Sequence, residues 1–292
     1  MNSVIAVIIA TMGRPHTSLL TINRLARQSR RPDRILVVGV SPADIAELPR
    51  VNIAVEAHLG PKGSSHQRNH ALDILDGSAD LVFFFDDDFL AADDYLANGE
   101  ALFLDHPDIV GVTGRLIADG AKGPGIGFHE AEAMIAADGA QDCGAAIRPR
   151  RALYGCNMAL RGAAIAELRF DENLPLYAWQ EDIDFSCRVG ARGRLVDCAA
   201  MAGVHMGEKI GRTSGRRLGY SQVANPVYLL KKGTIDPAEV WRVMPRYVAA
   251  NLLRSLSPEP WIDRRGRLTG NLLAFRDYLT GRLDPRRILD MR

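Results

Sequence analysis

Much that would take this sequence out of the ordinary globular class is missing from it. No stretch approaches the roughly 18–20 consecutive apolar residues needed to cross a bilayer, so an integral membrane protein is not expected. The four cysteines, Cys143, Cys156, Cys187 and Cys198, form no C-x-x-C pair, and so neither a zinc site nor a redox pair is written locally. The start, Met1-Asn2-Ser3-Val4, has no basic segment ahead of its short apolar run, which is not the pattern of a secretory leader. Thiols without a leader fit a reducing compartment, and the expected location is cytoplasmic. There is no internal repeat and no low-complexity segment, which excludes solenoid, collagen-like and disordered classes.

What is present is a chain of 292 residues, 47% hydrophobic and 24% charged, enough for one large α/β domain with or without an appendage. Short β-branched or apolar runs at 3–10, 34–40, 51–57 and 81–85 read as strands, with helical spacing in the low twenties and over 67–75. That alternation predicts a mostly parallel sheet with helices on both faces. Later, 109–114, 153–161 and 195–200 read as strands, 178–188 as a helix and the glycine-rich 120–127 as a loop. Beyond about 236, Val240, Trp241, Met244, Val248, Leu252 and Leu256 line one face of a predicted helix, with Arg242, Arg246 and Arg254 opposite and Pro245 within it. A second helix is predicted over 270–283. The net charge of +1 hides an asymmetry: from His205 onward there are 17 Lys/Arg against 8 Asp/Glu. A basic end of this kind fits an anionic neighbour or a solvated helical face.

The sharpest local feature is Phe83-Phe84-Phe85-Asp86-Asp87-Asp88. Ligands of open α/β sheets gather at the carboxyl ends of strands. Three like charges emerging there are mutually unfavourable unless a cation compensates them. Mn²⁺ and Mg²⁺ take oxygen ligands and are often held by one or two carboxylates plus substrate phosphates. Alternation along a strand lets Asp86 and Asp88 share a side while Asp87 faces away. The competing reading makes Asp88 the cap of a helix over 91–104.

Other motifs fall in a fixed order around the triplet. A strand ends in Thr11; Gly63 to Arg68-Asn69 opens a helix; Gly155-Cys156-Asn157-Met158-Ala159-Leu160-Arg161 and Phe170-Asp171-Glu172 follow; then come Trp179-Gln180-Glu181-Asp182-Ile183-Asp184, Arg188 and His205. In that order and spacing the chain resembles glycosyltransferase family 2 over about residues 3–232. The resemblance implies a GT-A-type three-layer αβα sandwich around a mostly parallel sheet, with a small C-terminal helical appendage. It divides the chain into a glycosyltransferase domain at 1–234 (donor half about 1–115, acceptor half about 116–234) and a basic amphipathic extension at 235–292.

The resemblance further implies an inverting transferase that passes a sugar from a nucleoside diphosphate sugar to an acceptor hydroxyl, with Mn²⁺ or Mg²⁺ as cofactor. The expected metal ligands are Asp88, Asp86 and His205. Asp182 is the expected general base, with Glu181 beside it. Thr11, Arg68, Asn69, Asp86, Asp87, Gly155, Asn157 and Trp179 are expected around the nucleotide sugar, and Arg188 is expected to pair with Asp184. A glycan or lipid-linked glycan acceptor for a cell-surface or exported polysaccharide is implied. Peripheral membrane contact through the C-terminal helices is open, as is oligomerisation, and no nucleic-acid partner is expected. One departure matters. The family usually carries an Asp directly after the second strand to contact the nucleobase; here Gly39 stands there and the nearest acid is Asp44. Two other readings remain, a nucleotidyltransferase of related fold and a carbohydrate-binding protein that has lost catalysis.

Overall fold

The computed structural model describes residues 3–139, 147–210 and 213–291. Its elements are β1 (Ile5–Ala10), α1 (Pro15–Leu25), β2 (Arg34–Gly39), β3 (Ala54–Leu59), α2 (Ser64–Leu75), β4 (Leu81–Asp86), β5 (Phe89–Ala91), α3 (Tyr95–Asp105), β6 (Ile109–Asp119), α4 (Phe128–Asp138), β7 (Ile147–Pro149), β8 (Asn157–Arg161), α5 (Gly162–Ile165), α6 (Glu181–Gly190), β9 (Arg194–His205), α7 (Gly215–Lys232), α8 (Pro237–Arg254) and α9 (Arg264–Leu279). One sheet runs in the order β3-β2-β1-β4-β8-β6-β9-β5, with β7 on β9. The first four strands are parallel, as the strand–helix alternation predicts. Beyond β4 the sheet is mixed, because β8 enters antiparallel between β4 and β6, and β5 and β7 pair antiparallel with β9.

The layers follow from the alternation of side chains along buried strands. Ile5, Val7, Ile9, Phe83 and Phe85 face one way and pack on Ile22 and Leu25 of α1 and Tyr95 and Phe103 of α3. Ala6, Ile8, Val82 and Phe84 face the other way, onto Leu72 and Leu75 of α2 and Phe185 and Val189 of α6. A third apolar cluster joins α7, α8 and α9 to the loop ahead of α6, through Leu174, Ala178, Tyr220, Val223, Val240, Met244 and Ala274. Buried polar contacts reinforce it: Asn251 Nδ2 donates to Gln222 Oε1 and Asn271 Oδ1, and the Tyr220 hydroxyl donates to Asp277.

The predicted face of α8 is only half used. Val240 and Met244 are buried, whereas Trp241 and Leu252 are 68% and 55% exposed, and Leu256, 85% exposed, lies beyond the helix end at Arg254. An apolar stripe set every three or four residues was broader than the groove it packs into. Three of the four cysteines, Cys156, Cys187 and Cys198, are free thiols, and Cys143 lies outside the described residues.

Candidate active site

The parallel strands β1 and β4 end side by side, with Ala10 opposite Asp86. Asp87 and Asp88 form the two-residue link from β4 to β5, so Asp88 does not cap a helix; the following helix begins only at Tyr95. The β5–β9 register places His205 opposite Phe89, one residue past Asp88, and the β6–β9 register places it opposite Asp119. Donor atoms of Asp86, Asp88 and His205 thus lie within 4.8 Å of one another. Two carboxylates and an imidazole make a fitting donor set for a divalent cation, with the imidazole favouring Mn²⁺ over Mg²⁺.

His205 Nδ1 meets Asp119 Oδ1 at 2.9 Å, and Nε2 faces Asp88 Oδ1 at 3.3 Å. A carboxylate on one ring nitrogen orients the other toward a metal. Burial disfavours the imidazolium, but Asp119 and Asp88 outweigh it and push His205 up to about 10. Burial likewise raises the Asp88 carboxyl, yet His205, Arg14 and the Glu208 amide hold it well below the usual range. His205 would have to shed its proton to ligate, so metal uptake near neutral pH should release a proton, and affinity should rise with pH. Asp119→Asn should weaken Mn²⁺ binding by about 10–100-fold, the usual effect of losing such a partner. Calorimetry in buffers of different ionisation enthalpy reads both effects; unchanged affinity with no proton released would contradict the arrangement.

Asp87 points away from Asp86 and Asp88. It is fully buried and accepts from Thr11 Oγ1 at 2.7 Å, while Arg14 Nη2 lies 2.8 Å from its other oxygen. Burial pushes the Asp87 carboxyl up, and Arg14 opposes this. Arg14 Nη1 also reaches Asp88 Oδ2 at 3.2 Å. Arg14 is therefore a resident cation of the triplet, and the sequence signal for it is the need of three adjacent carboxylates for a neutralising charge. Thr11 and Asp87, expected at the donor, are instead turned into the protein.

Arg68 links the triplet to the second acidic pair. Its Nη2 lies 3.1 Å from Asp86 and donates to Gly155 O at 2.9 Å, and its Nη1 lies 2.8 Å from Glu181 Oε1. It is buried over the Phe170 ring, and its fork is a clasp between the two ends of the site. Burial and the charge of Asp182 push Glu181 up to about 8, against the pull of Arg68. Asp182 is half-buried, accepts from Gly155 N at 3.0 Å and Ile183 N at 2.9 Å, and is raised by burial despite these bonds. A Cβ at Gly155 would stand 3.2 Å from Asp182 Cβ, so glycine there lets the carboxylate sit against this turn. Arg188 Nη2 pairs with Asp184 at 2.8 Å, away from the clasp.

Two residues expected at the donor have their side chains engaged within the protein. Asn157 is completely buried, with Oδ1 accepting from Thr113 and Nδ2 donating to Gly114 O. Asn69 donates to Phe170 O and Glu172 and accepts from Phe170 N, tying down the loop after α5. Trp179 stands just ahead of Glu181, its carbonyl held by Asn225 Nδ2 at 2.7 Å. Asp44 does not replace the missing acid at 39: it is buried and accepts from the amides of Gly13, Val40 and Ser41 and from the Ser41 hydroxyl. A Cβ at Gly39 would meet Ile45 at 2.8 Å and Asp44 at 2.9 Å, so this turn has no room for a carboxylate.

The whole architecture is similar to known structures. S. aureus TarS, residues 1–349, superposes with a TM-score of 0.59 at 16% identity, covering 97% of this chain and 82% of that one. Its complex with UDP-GlcNAc matches equally well, again with a TM-score of 0.59 at 16% identity. The mannosyltransferase PcManGT from Pyrobaculum calidifontis, in complex with GDP-Man and Mn²⁺, gives 0.58 at 16% identity, covering 99% of this chain and 86% of that one. The fold is that of GT-A glycosyltransferases. No family model and no curated sequence matches the chain, so the likeness is one of structure.

Proposed function

We propose that this chain is an inverting glycosyltransferase that moves a sugar from a nucleoside diphosphate sugar to an acceptor hydroxyl. The observation that carries the reading is the joining of two acidic centres by one buried arginine: Asp86 on Arg68 Nη2 and Glu181 on Nη1. Asp86, Asp88 and His205 would hold the divalent ion, Mn²⁺ in preference to Mg²⁺, and that ion would neutralise the charge of the leaving diphosphate. Asp182, more exposed than Glu181 and raised by burial, takes the proton of the acceptor hydroxyl. The oxygen then bonds to the anomeric carbon from the face opposite the breaking bond to the diphosphate, which inverts that centre. Glu181, buried on Arg68, positions the start of α6. The structural neighbours carrying GDP-Man with Mn²⁺ and UDP-GlcNAc support a sugar-nucleotide donor. A nucleotidyltransferase would need the loop after β1 to cradle phosphates, yet Arg14 in that loop is engaged with Asp87 and Asp88. Nucleotide-release assays across a panel of sugar nucleotides test the reading; no turnover with any donor would sink it.

A second part of the proposal places the enzyme at the cytoplasmic face of a membrane, acting on a glycan or lipid-linked glycan. No helix among the described residues is long and apolar enough to cross a bilayer. The exposed stripe of Trp241, Leu252 and Leu256, flanked by Arg242 and Arg246, suits an anionic leaflet. Inserting three such side chains would contribute several kcal/mol, at about 1.5–3 kcal/mol each. In liposome co-sedimentation, Trp241→Ser/Leu252→Ser/Leu256→Ser should lose most binding to vesicles containing phosphatidylglycerol. Equal sedimentation of the triple variant and the unsubstituted chain would remove this part.

A further inference from the structure

The segment entering α6 is held in an unfavourable backbone. Leu176, Ala178 and Gln180, none of them glycine, have φ of 60°, 53° and 72°. Non-glycine residues persist in the left-handed region only where their surroundings enforce it, and they cluster at functional sites. Here the alternation sets Tyr177 and Trp179 with ring planes 27° apart and centroids at 6.4 Å. Tyr177 is 51% exposed. Tyr247 of α8 closes the other side, its ring 5.3 Å from that of Trp179 and nearly perpendicular at 84°. Trp179 stands three residues ahead of Asp182, so the ring contact brings α8 to the segment that carries the base.

The same corner holds polar atoms without partners. Trp179 Nε1, Gln180 Oε1 and Asn225 Oδ1 are buried and form no hydrogen bond. Gln180 and Asn225 are 8% and 1% exposed. Buried donors and acceptors of this kind are rare and call for a functional or structural reason. None of these residues comes from β4 or the link after it, which carry the triplet, and the aromatic faces bear no charge. Such a wall suits the apolar face and hydroxyl rim of a pyranose, and does not suit a diphosphate.

We infer that Tyr177, Trp179 and Tyr247 form an acceptor subsite that takes a saccharide ring beside Asp182, with α8 contributing one wall. The inference rests on the glycosyltransferase reading above and deepens it: the acceptor presents a sugar, and the C-terminal helices are part of the site that receives it.

The test is binding of a panel of methyl pyranosides, followed by saturation-transfer NMR and tryptophan fluorescence, in the presence of Mn²⁺ and a nucleoside diphosphate. At least one pyranoside should bind the unsubstituted chain. Its affinity should fall at least about 10-fold in Tyr247→Ala, where the stacking face is lost, and stay within about twofold in Tyr247→Phe. Affinity for the nucleoside diphosphate should remain within about twofold in both variants. Should no pyranoside bind while the nucleotide does, or should Tyr247→Ala bind the sugar as well as the unsubstituted chain, the subsite is wrong and the donor reading stands. Failure of every nucleoside diphosphate to bind would instead remove the donor reading itself.

Discussion

Asp182→Asn is expected to lower kcat by roughly 10²–10⁴, the usual contribution of a positioned general base. Donor affinity should stay within about twofold, because the metal cluster and the Arg68 clasp are untouched. Gly155 N and Ile183 N donate to separate oxygens of Asp182, so Asn, close in shape, keeps one of these two hydrogen bonds, and α6 should still begin at Glu181. What it cannot do is take a proton. The sign of the pH dependence follows from the same carboxylate. Burial raises its pKa above the ordinary value despite two backbone hydrogen bonds. The base works only when ionised, so kcat falls as pH drops through that raised value. The acid limb of the profile should therefore lie above the ordinary aspartate range near 4. Near-normal turnover in the variant would reassign the base.

Asp88→Asn should be as damaging for a different reason. Asp88 offers one oxygen toward His205 and the other toward Arg14 and the Glu208 amide. The substitution removes one of the cluster's ligand charges and strips His205 and Arg14 of a shared counter-ion. Turnover should fall by about 10²–10³, the scale of losing one electrostatic stabiliser of the transition state. Unlike Asp182→Asn, it should also weaken Mn²⁺-dependent donor binding at least about tenfold. The two variants thus separate the ends of the site: one reads as kcat alone, the other as binding and kcat together.

The N-terminal part of the fold was legible because its signals are local. Strand, turn and helix alternate over the first 86 residues, and the apolar runs are short and unambiguous. The triplet gained meaning from the order of motifs around it, and Asp86, Asp88 and His205 do converge. What stayed hidden depends on distant pairing. Asp119 meets His205 only through the β6–β9 register, across a sequence separation of 86. Arg14 sits in a loop whose residues look like a simple strand end. Asn157 and Asn69 carry the right residue types in the right motifs, yet both amides serve the scaffold. The helical pattern of α8 marked an apolar face correctly, but pattern alone does not say which part of a face is covered. Among the described residues, α4, α7, β5 and β7 are not foreseen in the sequence: strands of three residues and a helix over a glycine-flanked loop leave little periodicity, and α7 contains Gly215, Gly219 and Pro226, which argue against a helix.

The central claim is that the chain cleaves a sugar nucleotide at the bond between sugar and diphosphate, with a metal on Asp86, Asp88 and His205. The most direct test is to identify the nucleotide product. The protein is incubated with a donor panel that includes UDP-GlcNAc and GDP-Man, with Mn²⁺ or with chelator, and the products are separated by anion-exchange chromatography. The account predicts a nucleoside diphosphate from at least one donor, formed only with metal, nearly lost in Asp88→Asn and strongly slowed in Asp182→Asn. Release of pyrophosphate or a nucleoside monophosphate, or equal turnover in chelator, would contradict it.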